Sequence, residues 1–287
     1  MRIRDFIRLA RPRDWLKNVF VLMPVPFALA AGGRFQPVVF LLGVAALSLA
    51  SSGVYALNDA FDAERDRLHE KKRERPIAAG RIAKTEAVVF AAALLAAAFV
   101  LAALSGSRVA LLVIAAYVAK EALYQLGLKH VPLVDVFLLS SGFVLRVVLG
   151  AELVGTNPSN WLLLVSSTLA LFISLAKRRG ELARGMDAGH RPSLSGYTLP
   201  FLDHAMAVSA GMILIGYALY CMDAQVLRAG REFASLPFVV FGVLEYLRLA
   251  QVRGEGDSPI DLLLRSPALL VCGAGWTLAS LWSVGLR

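Results

Sequence analysis

Apolar residues run in long blocks through this chain, and short polar segments separate them. The blocks approach the length of about 20 residues that a helix needs to cross a bilayer. Nine helical spans fit the pattern, at 16–32, 37–57, 86–104, 108–126, 133–154, 160–176, 203–222, 235–252 and 267–284. The first and sixth are short. The pattern predicts an all-α polytopic membrane protein of about nine transmembrane helices, with residues 1–287 as a single domain. The longest polar segments, 58–85 and 177–200, fall on the same side of the predicted membrane.

Composition agrees. The chain has 287 residues, 57% hydrophobic and 18% charged, against roughly 45–50% and about 25% for a soluble domain. This excludes a soluble enzyme, a disordered tail and a nucleic-acid-binding domain. The net charge of +9 is explained by topology instead. The N-terminus and the loops after spans 2, 4, 6 and 8 hold 23 Lys and Arg, and the opposite side holds 5. Lys120 and Arg146 lie inside spans. Because positive residues stay cytoplasmic, the N-terminus is expected inside the cell membrane and the C-terminus outside.

Cys221 and Cys272 both lie in apolar stretches and imply neither a disulfide framework nor a metal site. The basic N-terminus, followed by Ala28-Leu29-Ala30, looks like a signal peptide. The later spans, the interrupting Pro24 and Pro26, and the long basic stretch argue against cleavage.

The unusual chemistry follows span 2. Asn58, Asp59, Asp62 and Asp66 continue that span into the loop. At about 100° per residue they fall within one arc of about 100° on a helix. Clustered oxygen donors suit Mg²⁺, which keeps several waters and bridges to substrate phosphates. Three carboxylates on one face repel unless a cation sits among them. The bland alternative is a solvated helix end with Asp paired to Arg65 and Arg67. Tyr55, one turn earlier, reads equally as a site residue or an interfacial anchor. His69 falls on the same arc, but a lone His is weak support for a ligand. His69, Lys71, Lys72, Arg73 and Arg75 follow, and with the acids they resemble a metal-plus-cation clamp for a diphosphate. Arg73 reads as a positive-inside anchor.

On this motif the chain resembles the UbiA superfamily of intramembrane prenyltransferases. Within it, the chain is similar to the branch that transfers phosphoribose to decaprenyl phosphate. The stretches that carry this are Arg11-Pro-Arg-Asp-Trp-Leu-Lys17-Asn18, Asp66-x-x-His69-x-x-Lys72-x-x-Arg75-Pro76, Leu128-Lys129-His130-Val-Pro-Leu-Val-Asp135, Ser141-Gly-Phe-Val-Leu-Arg146 and Ala176-Lys-Arg-Arg-Gly-Glu-Leu182. Two positions depart from the branch: Glu70, where Pro is usual, and Ser266-Pro267, where an Asp is common.

The resemblance implies a helical bundle around a central cavity open to the cytoplasm, with Mg²⁺ and a phosphorylated polyprenyl lipid. In the branch, 5-phosphoribosyl 1-diphosphate is the donor, a polyprenyl phosphate the acceptor and diphosphate the leaving group. Lys17 matches a branch lysine implied to touch donor phosphate. Tyr124 and Lys129 match an element that contacts phosphate.

Most superfamily members carry a second acidic motif after span 6. Here that place reads Lys177-Arg178-Arg179-Gly180-Glu181. Basic residues suit an acceptor that is itself a phosphate, so Lys177 and Arg178 are expected to meet the lipid phosphate. Asp135 is expected either to hold Lys129 or to meet ribose hydroxyls. Lys120 and Glu121 can simply neutralise each other. Arg146, deep in span 5, must face a cavity or a partner. A substrate phosphate and a distant acid are both open for it. Asn58 and Asp62 are expected to hold the metal, with Asp59 and Asp66 as further candidate ligands, and Lys17, Lys72, Arg75, Lys129 and Arg146 around the phosphates. The lipid phosphate is already ionised, so no general base is required. Two rivals remain: prenyl transfer to an aromatic ring, and an anion transporter. The sequence leaves a homo-oligomer open.

Overall fold

The computed structural model describes residues 2–68, 72–186, 191–223, 226–254 and 259–284, and every regular element among them is helical. Six helices are long and apolar enough to cross a membrane: α3 (Pro37–Phe61), α5 (Lys84–Leu104), α7 (Val134–Glu152), α8 (Asn160–Ala183), α9 (Leu199–Asp223) and α12 (Pro267–Val284). Two more predicted spans are helical but fall short of that measure. α6 (Arg108–Gln125) carries Arg108, Lys120 and Glu121 within 18 residues, and α10 (Leu236–Val252) has only 17. The shorter helices are α1 (Arg2–Ala10), α2 (Val25–Ala30), α4 (Ala63–Arg67) and α11 (Pro259–Arg265).

The first predicted span, 16–32, is not one helix. It is a 3-10 segment, Pro12–Val21, followed by α2. Pro24 and Pro26 stand at the junction. Proline lacks the backbone donor and clashes with the preceding turn, so a continuous α-helix cannot form there. The sixth span was expected to end at 176, yet α8 continues to Ala183 through Lys177, Arg178 and Arg179. The helix carries these cations because the fold supplies acids for two of them, described below.

Small residues let α3 and α5 approach closely. Ala46, Ala50, Ala87, Ala91 and Ala98 are fully buried, and Gly53 backs onto Leu95 and the Ala91 carbonyl. In lipid, helix association rests on such close packing rather than on hydrophobic expulsion. One core joins α3, α6 and α7 around Leu47, Ile114, Tyr117 and Leu149. A second joins α8, α9 and α10 around Phe172, Leu202, Met206 and Leu249. The outer faces are apolar too: Leu41, Val89, Leu112, Val208, Ile215 and Leu278 are all exposed. Apolar surface on this scale would be a liability in water. It suits an integral membrane protein.

Charges gather by helix end. Asn58, Asp62, Tyr124, Lys129, Asp135 and Lys177 sit at or near the α3 C-terminus, the α6 C-terminus, the α7 N-terminus and the α8 C-terminus. The opposite helix ends are poorer in charge. There the Ser107 hydroxyl donates to Glu152 at 2.6 Å, and Arg231 lies over the Trp282 ring.

Candidate active site

α3 ends at Phe61, Asp62 caps it, and α4 begins one residue later. The continuous helix expected through Asp66 is therefore interrupted at Asp62; Asp59 and Asp66 meet at one guanidinium, and Asp62 turns to other partners. Asp59 is 3% exposed. Its Oδ1 accepts from Arg11 Nη2 at 2.5 Å and from Arg75 Nη1 at 2.9 Å. Arg75 Nη1 also donates to Asp66 Oδ2 at 2.7 Å. Asp62 meets other partners: Gln125 Nε2 at 3.3 Å and Lys129 Nζ at 3.7 Å, with its side chain 35% exposed. Asn58 is half-buried, and its side chain makes no hydrogen bond among the described residues.

Asp59 and Asp66 thus face guanidinium groups, and Asp62 does not among the described residues. Among the described residues, no three His, Cys, Asp or Glu side chains converge as a metal site. The repulsion that called for a metal among all the acids is relieved at Asp59 and Asp66 by guanidinium groups. They come from Arg11 and Arg75, not from Arg67, which pairs with Glu64. What stays open is the Asp62 carboxylate beside the Asn58 amide. Both offer hard oxygen donors, and one or two such ligands plus water and phosphate are what Mg²⁺ takes. The residues present fit that ion. Arg75 clamps two carboxylates instead of standing free for substrate.

Several expected cations do line this end. Lys17 Nζ donates to Asp14 at 2.6 Å and to the Tyr55 hydroxyl at 3.4 Å. Arg11 and Lys17 lie 5.1 and 5.6 Å from the Tyr55 ring centre. Tyr55 thus lies among the cations of this end. Lys129 donates to Gln125 and faces Asp62. Lys72 opens a short 3-10 turn, Lys72–Glu74. Partial burial, and then the positive charge of Arg75, push its ammonium below the usual lysine range. His69 and Lys71 lie outside the described residues, as does Glu70.

The three cations of α8 separate into different roles. Arg178 has no exposed surface. Its Nε donates to Asp135 at 2.6 Å, its Nη1 to Glu181 at 2.7 Å and its Nη2 to the Tyr124 hydroxyl at 3.4 Å. Arg179 is held by Asp203 at 2.6 Å and by the Ala250 carbonyl at 2.7 Å. Lys177 is half-buried and makes no hydrogen bond or ion pair among the described residues. The charges of Lys17, Arg178, Glu181 and Arg191 act on it. The expectation that Arg178 meets the lipid phosphate is thus corrected, because its donors face protein acceptors. Lys177 alone of the three has no acid or hydrogen-bond partner among the described residues.

Asp135 follows neither expected role. It is fully buried and also accepts from Ser193 at 2.9 Å and from Tyr197 at 2.6 Å. Burial first, and then the bond to Asp135, push the Tyr197 hydroxyl above the usual tyrosine range. Tyr124 accepts from Arg191 at 2.7 Å as well as from Arg178, so arginines occupy its hydroxyl. Lys120 pairs with Glu121 at 2.5 Å, the simple neutralisation foreseen. Arg146 is 4% exposed, and no acid pairs with it among the described residues.

Sequence reasoning missed Gln125, Glu181 and Arg191 as parts of this network. Gln125 closes α6, and the turn at Gly127 brings Lys129, four residues on, back to it. Arg191 is one of the cations of the polar segment 177–200. Away from the charges lies an apolar cavity of about 300 Å³, lined by Met23, Phe27, Leu169, Tyr217, Tyr220 and Trp276 among others. Leu169 precedes Lys177 by eight residues on α8, about 12 Å along the helix.

The chain is similar to known proteins in sequence and in fold. A decaprenyl-phosphate phosphoribosyltransferase of Corynebacterium glutamicum is 34% identical, over 97% of this chain and 86% of its own length. One from Mycobacterium tuberculosis is also 34% identical, over 96% of this chain and 92% of its own. Among solved structures, a UbiA homolog from Archaeoglobus fulgidus bound to GPP and Mg²⁺ superposes with a TM-score of 0.75 at 20% identity, covering 96% of both chains. The model of the UbiA prenyltransferase family matches residues 18–250. The chain belongs to the UbiA prenyltransferase family.

Proposed function

We propose that this protein transfers 5-phosphoribose from 5-phosphoribosyl 1-diphosphate to a polyprenyl phosphate of the decaprenyl type, releasing diphosphate. Relatives bearing that activity in their names match nearly end to end. The observation that carries the reading at the site is Lys177. Where most of the family has a second acidic motif, α8 carries an ammonium with no acid partner among the described residues. An aromatic acceptor would give it nothing to bind, whereas a lipid phosphate would.

Asp62 and Asn58 hold Mg²⁺ in this reading, and Lys129 and Lys72 flank it. The ion, when bound, supplies positive charge to the diphosphate. Arg75 and Arg11 keep Asp59 and Asp66 neutralised, so the acids do not repel the donor. Lys17 and Arg146 add positive charge farther in, and Lys177 meets the lipid phosphate. One oxygen of that phosphate attacks C1 of the ribose as the bond from C1 to the diphosphate oxygen breaks. Preorganised cations stabilise the charge that builds on the leaving diphosphate. No residue needs to take a proton, because the attacking phosphate is already ionised.

The lipid tail runs from Lys177 toward the apolar cavity about 12 Å away. The charge asymmetry of 23 against 5 supports a site at the cytoplasmic surface. On this reading α6, α10 and the broken first crossing bring the six long helices to nine, with the C-terminus outside. Purified protein given labelled 5-phosphoribosyl 1-diphosphate and decaprenyl phosphate should form labelled lipid in the presence of Mg²⁺. Turnover of a prenyl diphosphate with an aromatic acceptor, and none with the phosphoribosyl donor, would overturn the reading.

A further inference from the structure

Arg146 lies about two-thirds of the way along α7, and no acid pairs with it among the described residues; the nearby Glu121 is paired with Lys120. Its Nε donates to Asn18 Oδ1 at 3.0 Å and its Nη1 to the Gly142 carbonyl at 2.6 Å. The rings of Tyr117 and Phe143 lie 5.3 and 5.8 Å from its central carbon. A cation buried in a span ordinarily pairs with an acid, since an uncompensated buried charge is costly. Here an amide stands where a carboxylate would neutralise it. Lys120 crowds the same notch: a Cβ on Gly142 would come within 2.8 Å of its Nζ and 3.4 Å of Arg146 Nη1.

The amide itself is held. Asn18 is 6% exposed, and its Nδ2 donates to Ser48 Oγ at 2.8 Å. The Ser48 hydroxyl spends its proton on the Val44 carbonyl at 2.8 Å. Ser48 can therefore only accept from Asn18, which turns the Asn18 oxygen toward Arg146. One 3-10 turn earlier, Trp15 Nε1 donates to Ser52 Oγ at 2.9 Å, and Ser52 donates to the Ala10 carbonyl at 2.6 Å. Three residues of 3-10 helix rise about 6 Å, as do four residues of α-helix. Trp15 and Asn18 thus fall in register with Ser52 and Ser48, and an α-helical first span would lose that match.

We propose that Asn18 is a positioning residue: held by Ser48, it aims Arg146 at a substrate phosphate while leaving the guanidinium charge uncancelled. This rests on the reading that the substrates are phosphates, and it adds the device that keeps one cation available for them. The phosphate belongs either to the donor or to the lipid, and kinetics distinguish these.

The test is Asn18→Asp, nearly the same shape with a charge that pairs with Arg146. Purified variant and parent are compared by melting temperature, by affinity for inorganic diphosphate and by KM for each substrate. The expected result is an unchanged or higher Tm, diphosphate binding weakened at least tenfold, and a KM raised at least tenfold for one substrate, with kcat less changed. A raised donor KM assigns the phosphate to the donor, and a raised lipid KM assigns it to the lipid. Ser48→Ala, which frees the amide to turn, should raise the same KM by less and serves if Asn18→Asp does not fold. Parental KM values and diphosphate affinity in Asn18→Asp overturn the proposal, as does a parental KM in Ser48→Ala if only that variant folds. If the parent transfers no phosphoribose, the functional reading fails by itself, and diphosphate binding still decides the role of Asn18.

Discussion

Arg178 and Asp135 are 43 residues apart in the chain, pair at 2.6 Å, and expose none of their side-chain surface. Such a pair ties α7 to α8. Removing one partner leaves the other charged, buried and unpaired, which typically costs about 3–5 kcal/mol. Arg178→Ala should therefore lower the melting temperature and the yield of folded protein. Lys177→Ala should keep the parental Tm and raise KM for the lipid phosphate. Equal Tm losses in the two variants would show that Lys177 is also structural.

The acids of the motif should divide in the same way. Asp62→Asn removes a charge from an exposed carboxylate without changing its volume, so turnover should vanish while the fold persists. Chelation of divalent metal by EDTA should abolish activity in the parent. Asp59→Asn should instead destabilise the protein, because Arg11 and Arg75 lose the carboxylate they share. Near-parental turnover of Asp62→Asn at saturating Mg²⁺ would remove Asp62 from the metal site.

Gly150 lets the 3-10 segment close on α7. A Cβ there would overlap the Val21 carbonyl oxygen and come within 2.8 Å of the Pro24 ring. Overpacking of this kind costs about 1–3 kcal/mol. Gly150→Ala should lower Tm and, by shifting Pro12–Val21, raise KM for a phosphate substrate through Lys17 and Asn18. A parental Tm would mean that the segment moves aside freely.

The orientation can be read by labelling. Single cysteines placed in the polar segments 58–85 and 177–200 should react only with reagent that reaches the cytoplasm. Reaction from the outside in intact cells would invert the topology and move the site to the other face.

Most of the helices were legible because a lipid-facing helix declares itself without partners. The apolar runs of α3, α5 and α12 satisfy the bilayer residue by residue, so hydropathy finds them. The first predicted span was misjudged: Pro24 and Pro26 break it, and Trp15 and Asn18 of its 3-10 part meet Ser52 and Ser48 of another helix. The site was legible as a collection of residues but not as pairs. Spacing along one helix grouped Asn58 with the three acids. It could not show that Arg11, 48 positions from Asp59, reaches that carboxylate. Nor could it show that Asp135 lies opposite Arg178. Lys177 and Arg178 are neighbours in sequence, yet about 100° apart around a helix. That turn sends one toward the open site and the other into the core.

That separation has a consequence for ionic strength. Mobile ions screen exposed charges over about 8–10 Å at physiological salt and reach buried pairs far less. The Arg178–Asp135 pair is sealed from them, whereas Lys17, Lys129 and Lys177 keep part of their surface open. Added salt should therefore weaken the capture of phosphates while leaving the melting temperature nearly constant. One end of the same bundle thus carries two kinds of electrostatics, one tuned by the surrounding electrolyte and one insulated from it.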